Sequence, residues 1–194
     1  MIIGGGIIGC SIAYHLARSG EKDVVLLERE SLTEGATWHA AGLVGQLRSS
    51  RNTTRMLQKS VAMYDRLQND EGFQFDWKKT GSLRLAATKE RLLEAKRLAT
   101  MARSFNLDMH IIDPAEAKEL FPLIDDKGLE GAAFIPSDGY VDPASLTQAV
   151  AGAARKLGVD IRQGVEVLDF KVADGRVTSV ETIEGYWDAQ NVVL

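Results

Sequence analysis

The sequence is poor in cysteine, in long apolar runs and in concentrated positive charge. Its one cysteine, Cys10, cannot form a disulfide within the chain, which fits a reducing compartment and excludes a disulfide-stapled scaffold. No apolar run approaches the roughly 18 residues that a membrane-spanning helix needs. No long basic run occurs, and the formal net charge of -4 provides no field that would attract nucleic acid or an anionic membrane. We therefore expect no nucleic-acid partner and no membrane span.

What is present is an ordinary globular composition, with 45% hydrophobic and 26% charged residues. This is enough for one generous core or two modest ones. The start Met1–Ile3 has no charged region before it and runs directly into glycines, so it does not predict a signal peptide. This start is short for a strand, which usually has about five residues. The chain stops at Asn191–Leu194 on an apolar run. Both ends lead us to expect a piece of a longer protein.

The start of the chain predicts a strand, a helix and a second strand. Apolar and small residues at helical spacing predict a helix from Gly6 to Ser19, which Gly20 terminates. The segment Asp23–Glu28 is continuously apolar in its middle, as is typical of a parallel strand covered on both faces.

The remaining chain mixes helices and strands around one long irregular segment, residues 29–50. Asp113 and Asp142 each precede a proline and are predicted helix N-caps. Asp174–Gly175 predicts a hairpin turn. Helices are predicted at 52–69, 89–105, 114–120 and 144–157, and strands at 82–86, 109–112, 160–162, 165–172, 177–183, around Trp187 and from Val192.

The glycines Gly4, Gly6 and Gly9 fit the G-x-G-x-x-G pattern between the first strand and the first helix. The first permits a tight turn, the second lets the backbone approach a pyrophosphate, and the third allows the helix to pack on the strand. Glu28 ends the second strand, where an acid accepts hydrogen bonds from ribose hydroxyls. The joint pattern predicts a dinucleotide site, but the motif alone does not separate NAD from FAD.

The layout favours FAD, because the unit stands at the very start of the chain and Arg29 follows Glu28 just before a glycine-rich segment. This layout resembles the glutathione-reductase-like flavoproteins.

The segment Gly35–Leu43, which reads Gly-Ala-Thr-Trp-His-Ala-Ala-Gly-Leu, makes the resemblance specific. The chain resembles the sarcosine and dimethylglycine dehydrogenase group of the D-amino-acid-oxidase-like FAD superfamily. In that group the histidine of this motif bonds covalently to the flavin 8α-methyl carbon, which implies that His39 is the attachment residue. The segments 44–48, 81–85, 121–123 and 138–143 also resemble the group, so the similarity covers essentially the whole chain. The segment 44–48 is more like the sarcosine branch.

The resemblance and the phosphate motif together give a set of candidate FAD-binding residues. Val167 enters this set because related flavoproteins use a strand pair at this point to contact the adenine. No metal site is predicted, and the substrate-binding and catalytic residues of the group are expected after Leu194. The candidate residues are Gly4, Gly6, Ile7, Ile8, Gly9, Glu28, Arg29, Thr37, Trp38, His39, Ala40, Leu43 and Val167.

By resemblance, the function is FAD-dependent oxidation of an N-methyl glycine derivative, with hydride transfer from the N-methyl carbon to the flavin. The iminium product would be hydrolysed, or its carbon passed to tetrahydrofolate in a longer native chain. The implied partners are a small-molecule amine substrate and an electron-transfer flavoprotein, or else oxygen. The implied location is the bacterial cytoplasm or the mitochondrial matrix.

Two alternatives stay open. One is another amine or amino-acid oxidase of the same superfamily that holds FAD without a covalent bond. The other is a non-catalytic regulatory module with the flavoprotein architecture, against which His39 argues.

The expected fold is α/β: a glutathione-reductase-like, Rossmann-type FAD-binding domain with a β-meander, plus the start of an α+β substrate domain. Residues 1–45 and 141–194 are assigned to the FAD-binding domain, and residues 46–140 to part of the substrate domain.

Several conspicuous side chains receive structural interpretations. His15 and His110 have no cluster of partners in the sequence and are expected to pack or to face solvent. Cys10 is expected to fill a small buried space. The aromatic residues Phe73, Phe75 and Trp77 are expected in the core, with a substrate cavity as the second interpretation.

Overall fold

The computed structural model describes every residue from Met1 to Leu194. None of its helices is both long and apolar enough to cross a membrane. The helices are α1 (Ile7–Arg18), α2 (Arg51–Asp65), α3 (Lys89–Ser104), α4 (Pro114–Leu120) and α5 (Pro143–Lys156), with a 3₁₀ turn at Thr37–His39 and a π turn at Arg66–Asp70. The strands are β1 (Ile2–Ile3), β2 (Val25–Glu28), β3 (Leu43–Val44), β4 (Ser82–Ala86), β5 (His110–Ile112), β6 (Gly131–Ile135), β7 (Gly139–Tyr140), β8 (Asp160–Gln163), β9 (Val167–Ala173), β10 (Arg176–Thr182) and β11 (Gly185–Asp188).

The chain divides into two compact units. Unit 1 comprises Met1–Gly42, Arg66–Asp76 and Asp142–Leu194, and unit 2 comprises Leu43–Asp65 and Trp77–Val141.

Residues 66–76 lie in unit 1, whereas the sequence assigned them to the segment 46–140. The reason is packing within unit 1. Leu67 is fully buried, and the ring of Phe73 lies so close to Gly152 of α5 that a Cβ on that glycine would stand 3.2 Å from it. The phenol of Tyr14 in α1 also donates a hydrogen bond to Glu71. These long-range contacts leave no trace in local sequence patterns.

Unit 1 contains a parallel sheet in the order β1-β2-β8 and an antiparallel meander in the order β11-β10-β9. Asp174 and Gly175 join β9 to β10 with positive φ angles of 51° and 74°, so the predicted hairpin turn is confirmed. Helices α1 and α5 pack against each other. The facing residues are small, with Cys10, Ala13 and Ala154 fully buried, which lets the two backbones approach. The predicted α/β fold class is confirmed.

Unit 2 is built on the antiparallel sheet β4-β6-β5. The inner face of α3 supplies Ala95, Ala99 and Ala102 to a core that also contains Leu47 and Ile135. The predicted caps are confirmed in both units: Asp113 forms a capping box with Glu116 at α4, and Asp142 accepts a hydrogen bond from the Ser145 N–H at α5.

A buried carboxylate stabilises unit 2. Asp138 is 1% exposed. Its Oδ1 accepts hydrogen bonds from the Gln46 N–H at 2.9 Å and from Gln46 Nε2 at 3.0 Å, and its Oδ2 accepts one from Ser82 Oγ at 2.7 Å. Three donors from β4 and from the segment after β3 therefore depend on one side chain.

Replacement of Asp138 with Ala is expected to loosen this region strongly, because it leaves buried donors without an acceptor. The expected cost is about 2 to 4 kcal/mol. The measurement is native-state hydrogen exchange of the Gln46 amide in the complete protein, whose protection should fall by at least a factor of about 30. The matched control is Asp108→Ala, which removes an exposed pair with His110 and should cost less than about 1 kcal/mol. Equal exchange in the two variants would contradict the assignment.

Candidate functional site

The loop Gly4–Gly9, here called the phosphate loop, turns sharply out of β1 into α1. Gly4 has a φ of +108°, which a residue with a side chain rarely adopts. Its N–H donates to the Leu27 carbonyl of β2 at 2.8 Å. A Cβ on Gly9 would overlap the carbonyl oxygen of Gly4. The loop backbone can therefore fold back on itself only because these two positions are glycine.

Gly5, which the motif leaves unspecified, is also restricted. A Cβ at Gly5 would stand 2.5 Å from the Leu32 side chain and 2.9 Å from Glu28 Cβ. Sequence reasoning missed this position, and the run of three glycines was the available signal.

The N-terminus of α1 opens at this loop. The first amide groups of a helix have no acceptor within the helix and carry a partial positive charge. The N-cap residue is Gly6, which has no side chain to accept a hydrogen bond, and the first turn contains no acidic residue. Instead, Thr37 Oγ1 accepts from the Ile7 N–H at 3.1 Å. This bare backbone, at a helix end with no N-cap side chain and no acidic residue in its first turn, suits a phosphate group.

The carboxylate of Glu28 lies against the loop. Its Oε2 accepts a hydrogen bond from the Gly5 N–H at 2.6 Å, and its Oε1 accepts one from the Glu30 N–H at 3.0 Å. Each carboxylate oxygen has two lone pairs, so Glu28 can hold the loop and still accept further hydrogen bonds.

A cleft of about 640 Å³ runs along the phosphate loop within unit 1. Its size is in the range of cofactor and ligand sites. Beyond the sequence candidates, it brings Glu34, Gly35 and Ala36 from the long irregular segment to the same wall. The sequence candidates that line it are Gly4, Gly6, Ile7, Ile8, Gly9, Glu28, Arg29, Thr37 and Ala40.

The other four candidates lie elsewhere. Val167 lines a smaller cleft of about 190 Å³ together with Gly4, Glu28 and Arg29. Trp38 and His39 stand between the lining residues Thr37 and Ala40 and are exposed. Their rings stack with centroids 3.9 Å apart and an angle of 34° between the planes. Leu43 is 81% exposed and belongs to unit 2.

A family model described as DAO, FAD dependent oxidoreductase, matches residues 1–194. The chain belongs to the DAO family of FAD-dependent oxidoreductases.

Within the DAO family, the chain is similar to amine dehydrogenases. It is 40% identical over 193 residues to mitochondrial dimethylglycine dehydrogenase of Rattus norvegicus, covering 100% of this chain and 22% of the relative. It is 38% identical over 191 residues to mitochondrial sarcosine dehydrogenase of Homo sapiens, covering 95% of this chain and 21% of the relative. The chain thus spans about a fifth of the length of these curated relatives.

A solved DAO-like structure agrees with the fold. The structure of L-proline dehydrogenase from P. horikoshii superposes with a TM-score of 0.91 at 31% identity, covering 98% of this chain and 50% of that one. The family model identifies the chain as FAD-dependent, and this likeness agrees with its fold.

The histidine and aromatic side chains outside the cleft of this DAO-family chain have ordinary surroundings. His15 is exposed on α1, and partial burial together with the nearby Arg18 and Arg66 lowers its pKa. His110 lies 2.9 Å from Asp108 on the surface of unit 2. Trp77 is buried in unit 2 and donates to Asp65 Oδ1 at 2.9 Å. Phe73 and Phe75 are half-buried in unit 1, so the three aromatic residues do not share one unit.

Cys10 is fully buried directly behind the phosphate loop. Burial raises the pKa of its thiol from 9.0 to about 11. The charge of Arg155 lowers this pKa to a smaller extent, and the charge of Glu28 raises it. Because the thiolate is the form that burial disfavours, the thiol stays protonated at neutral pH.

Cys10 is therefore expected to resist alkylation in the folded protein. A rise of two pKa units alone reduces the thiolate fraction near pH 8 by about 100-fold. The measurement is the rate of iodoacetamide labelling of the peptide that contains Cys10, before and after denaturation, from pH 7 to pH 9. Equal rates in the two states would show that the thiol is neither buried nor shifted.

Proposed function

We propose that this chain is the cofactor-binding part of an FAD-dependent enzyme that oxidises an N-methyl glycine derivative, sarcosine or dimethylglycine. The observation that carries the proposal is the position of the Thr37–His39 turn. Its first residue is hydrogen-bonded to the helix end at the phosphate loop, and its last residue is the histidine that resembles the flavin attachment residue of this group.

The candidate residues would contact different parts of FAD in this proposal. The backbone of Gly4–Gly9 and the N-terminus of α1 would hold the pyrophosphate of FAD, where bare amide groups and the helix dipole favour negative charge. Glu28 and Arg29 would lie at the ribose, and Val167 at the adenine. Ala40 leaves space beside the attachment residue, because it carries only a methyl side chain.

His39 would hold the flavin covalently. The bond would join an imidazole nitrogen of His39 to the flavin 8α carbon; one proton would leave that carbon and one the imidazole, and dioxygen would accept both protons and the two electrons as hydrogen peroxide. The bound flavin supplies the two-electron acceptor for the amine, and the protein orients it. The electrons would continue to an electron-transfer flavoprotein or to oxygen, and tetrahydrofolate would enter only with a longer chain.

The proposal includes a compartment. The two relatives named above are mitochondrial proteins, which supports the mitochondrial matrix for a eukaryotic source and leaves the cytoplasm for a bacterial one.

The experiment uses the complete protein under anaerobic conditions and follows bleaching of the visible flavin band. Sarcosine and dimethylglycine are the test substrates, with glycine as the control that lacks the N-methyl group and L-proline as a cyclic secondary amine. Bleaching by the N-methyl compounds alone supports the proposal. Bleaching by glycine or proline instead favours a different amine or amino-acid oxidase. Retained FAD that no amine bleaches favours the non-catalytic module.

A further inference from the structure

One side-chain hydrogen bond joins the phosphate loop to the Thr37–His39 turn, here called the histidine turn. The Ile7 N–H donates to Thr37 Oγ1 at 3.1 Å, across 30 positions of the chain. A side chain at the N-cap accepts from the N–H of the second or third helical residue, which in α1 would be Ile8 or Gly9. The N–H of the first helical residue, Ile7, has no acceptor within the helix, and Thr37 provides one from elsewhere in the chain.

The fit between the two segments is close. A Cβ built on Gly6 would stand 3.0 Å from Thr37 Oγ1. A larger residue at Gly6 would therefore displace the hydroxyl. The glycine of the motif thus makes room for the side chain of Thr37 as well as for a ligand.

Earlier residues of the same segment are attached separately. The Thr33 N–H donates to the Gly5 carbonyl at 3.2 Å. The Leu32 N–H donates to Gln163 Oε1 at 2.8 Å, and the Leu32 side chain is 2% exposed. These contacts hold the start of the segment 29–50 against the phosphate loop and β8, whereas Thr37 is the first residue of the histidine turn itself.

The position of His39 follows from that of Thr37. The Ala40 N–H donates to the Thr37 carbonyl at 3.2 Å, which closes the turn over Trp38 and His39. The indole of Trp38 stacks on the imidazole at 3.9 Å between centroids. The side chains of both residues are exposed, so little else around them restrains the ring.

We propose that Thr37 is a positioning residue that couples the phosphate loop to the histidine turn, so that its hydroxyl aligns His39 with the cofactor. The covalent part of this inference rests on the proposed attachment at His39. Loss of the hydroxyl removes no reacting group, but it frees the turn that carries His39 and leaves the Ile7 N–H without its acceptor.

The first test uses the complete apoprotein and does not depend on the cofactor. Hydrogen exchange is measured at the Ile7 and Ala40 amides of wild type, Thr37→Val and Thr37→Ser. Valine preserves the shape of threonine and removes the acceptor, and serine keeps the acceptor. We expect exchange at both amides to rise by about 5- to 30-fold in the valine variant and to return to within about twofold of wild type in the serine variant. A hydroxyl that only contacts the cofactor would leave both amides unchanged in the apoprotein, and this result would overturn the proposal.

The second test measures covalent flavin incorporation at saturating FAD. The valine variant should incorporate flavin at least about tenfold more slowly than wild type, whereas the serine variant should incorporate it at close to the wild-type rate. The melting temperatures of the three proteins should be similar. Incorporation at the wild-type rate in the valine variant would also overturn the coupling.

The two proposals can fail separately. If wild type itself holds no covalent flavin, the attachment at His39 is wrong, and the amide exchange of the apoprotein still decides whether Thr37 couples the two segments.

Discussion

The His39→Ala variant of the complete protein is expected to lose all covalently bound flavin while it keeps its fold. After denaturation in acid, washed wild-type polypeptide should fluoresce as a flavin, and the variant should not. The reason is chemical: alanine offers no nucleophile to bond the flavin 8α carbon. Since the His39 side chain is exposed, its removal opens no cavity in a core, and a large effect on stability is not expected.

The matched control for this variant is His15→Ala. His15 is another exposed histidine of unit 1, located on α1, and its loss should leave flavin attachment unchanged. If both variants release flavin and wild type releases it as well, the covalent attachment is excluded and a noncovalent FAD oxidase becomes the better interpretation. If the His39→Ala variant retains covalent flavin, another residue is the attachment site.

The Gly9→Ala variant is expected to abolish FAD retention. A single methyl group at this position overlaps the carbonyl oxygen of Gly4. Both partners belong to the backbone of a tight turn, so neither can move aside as the end of a flexible side chain could. Overpacking of this kind costs about 1 to 3 kcal/mol or more, and here the displaced atoms belong to the loop whose backbone would hold the pyrophosphate. The FAD content per polypeptide should fall below about a tenth of wild type, since 1.4 kcal/mol is already a tenfold change in affinity.

A second glycine separates steric overlap from a general effect of substitution. A Cβ at Gly35 would meet no atom within 4 Å, so Gly35→Ala should leave the melting temperature of the apoprotein within about one degree of wild type. Gly9→Ala should lower it by several degrees. If the two variants melt at the same temperature and bind FAD alike, the packing of the phosphate loop is not what the structure indicates.

Local signals were sufficient for several elements. The strand at 82–86 and the helix at 114–120 have the predicted bounds. The helix is well marked in the sequence because Asp113 at the N-cap precedes a proline at the first helical position. The structure adds the capping box between Asp113 and Glu116. The hairpin at Asp174–Gly175 is equally local, since its positive φ angles suit these two residue types.

Strand β6 shows why other elements were not predicted. Its sequence, Gly-Ala-Ala-Phe-Ile, neither alternates nor carries many β-branched residues. It is a strand because β4 and β5 pair with it on both sides, and because its alanines fit the fully buried space beneath α3 and α4. Pairing with strands that are distant in the chain outweighed the low β-propensity of this segment.

The candidate site divides in the same way. The sequence by itself indicates which residue types could hold a dinucleotide. It also groups Gly4, Gly6, Gly9 and Glu28, because one short strand–helix–strand unit carries all four. Only the tertiary structure decided three other features: Gly5 admits no side chain, Thr37 accepts a hydrogen bond from the helix end, and residues 66–76 join unit 1. These features depend on contacts between segments far apart in the chain, and such contacts form only when burial and backbone hydrogen bonding bring the segments together.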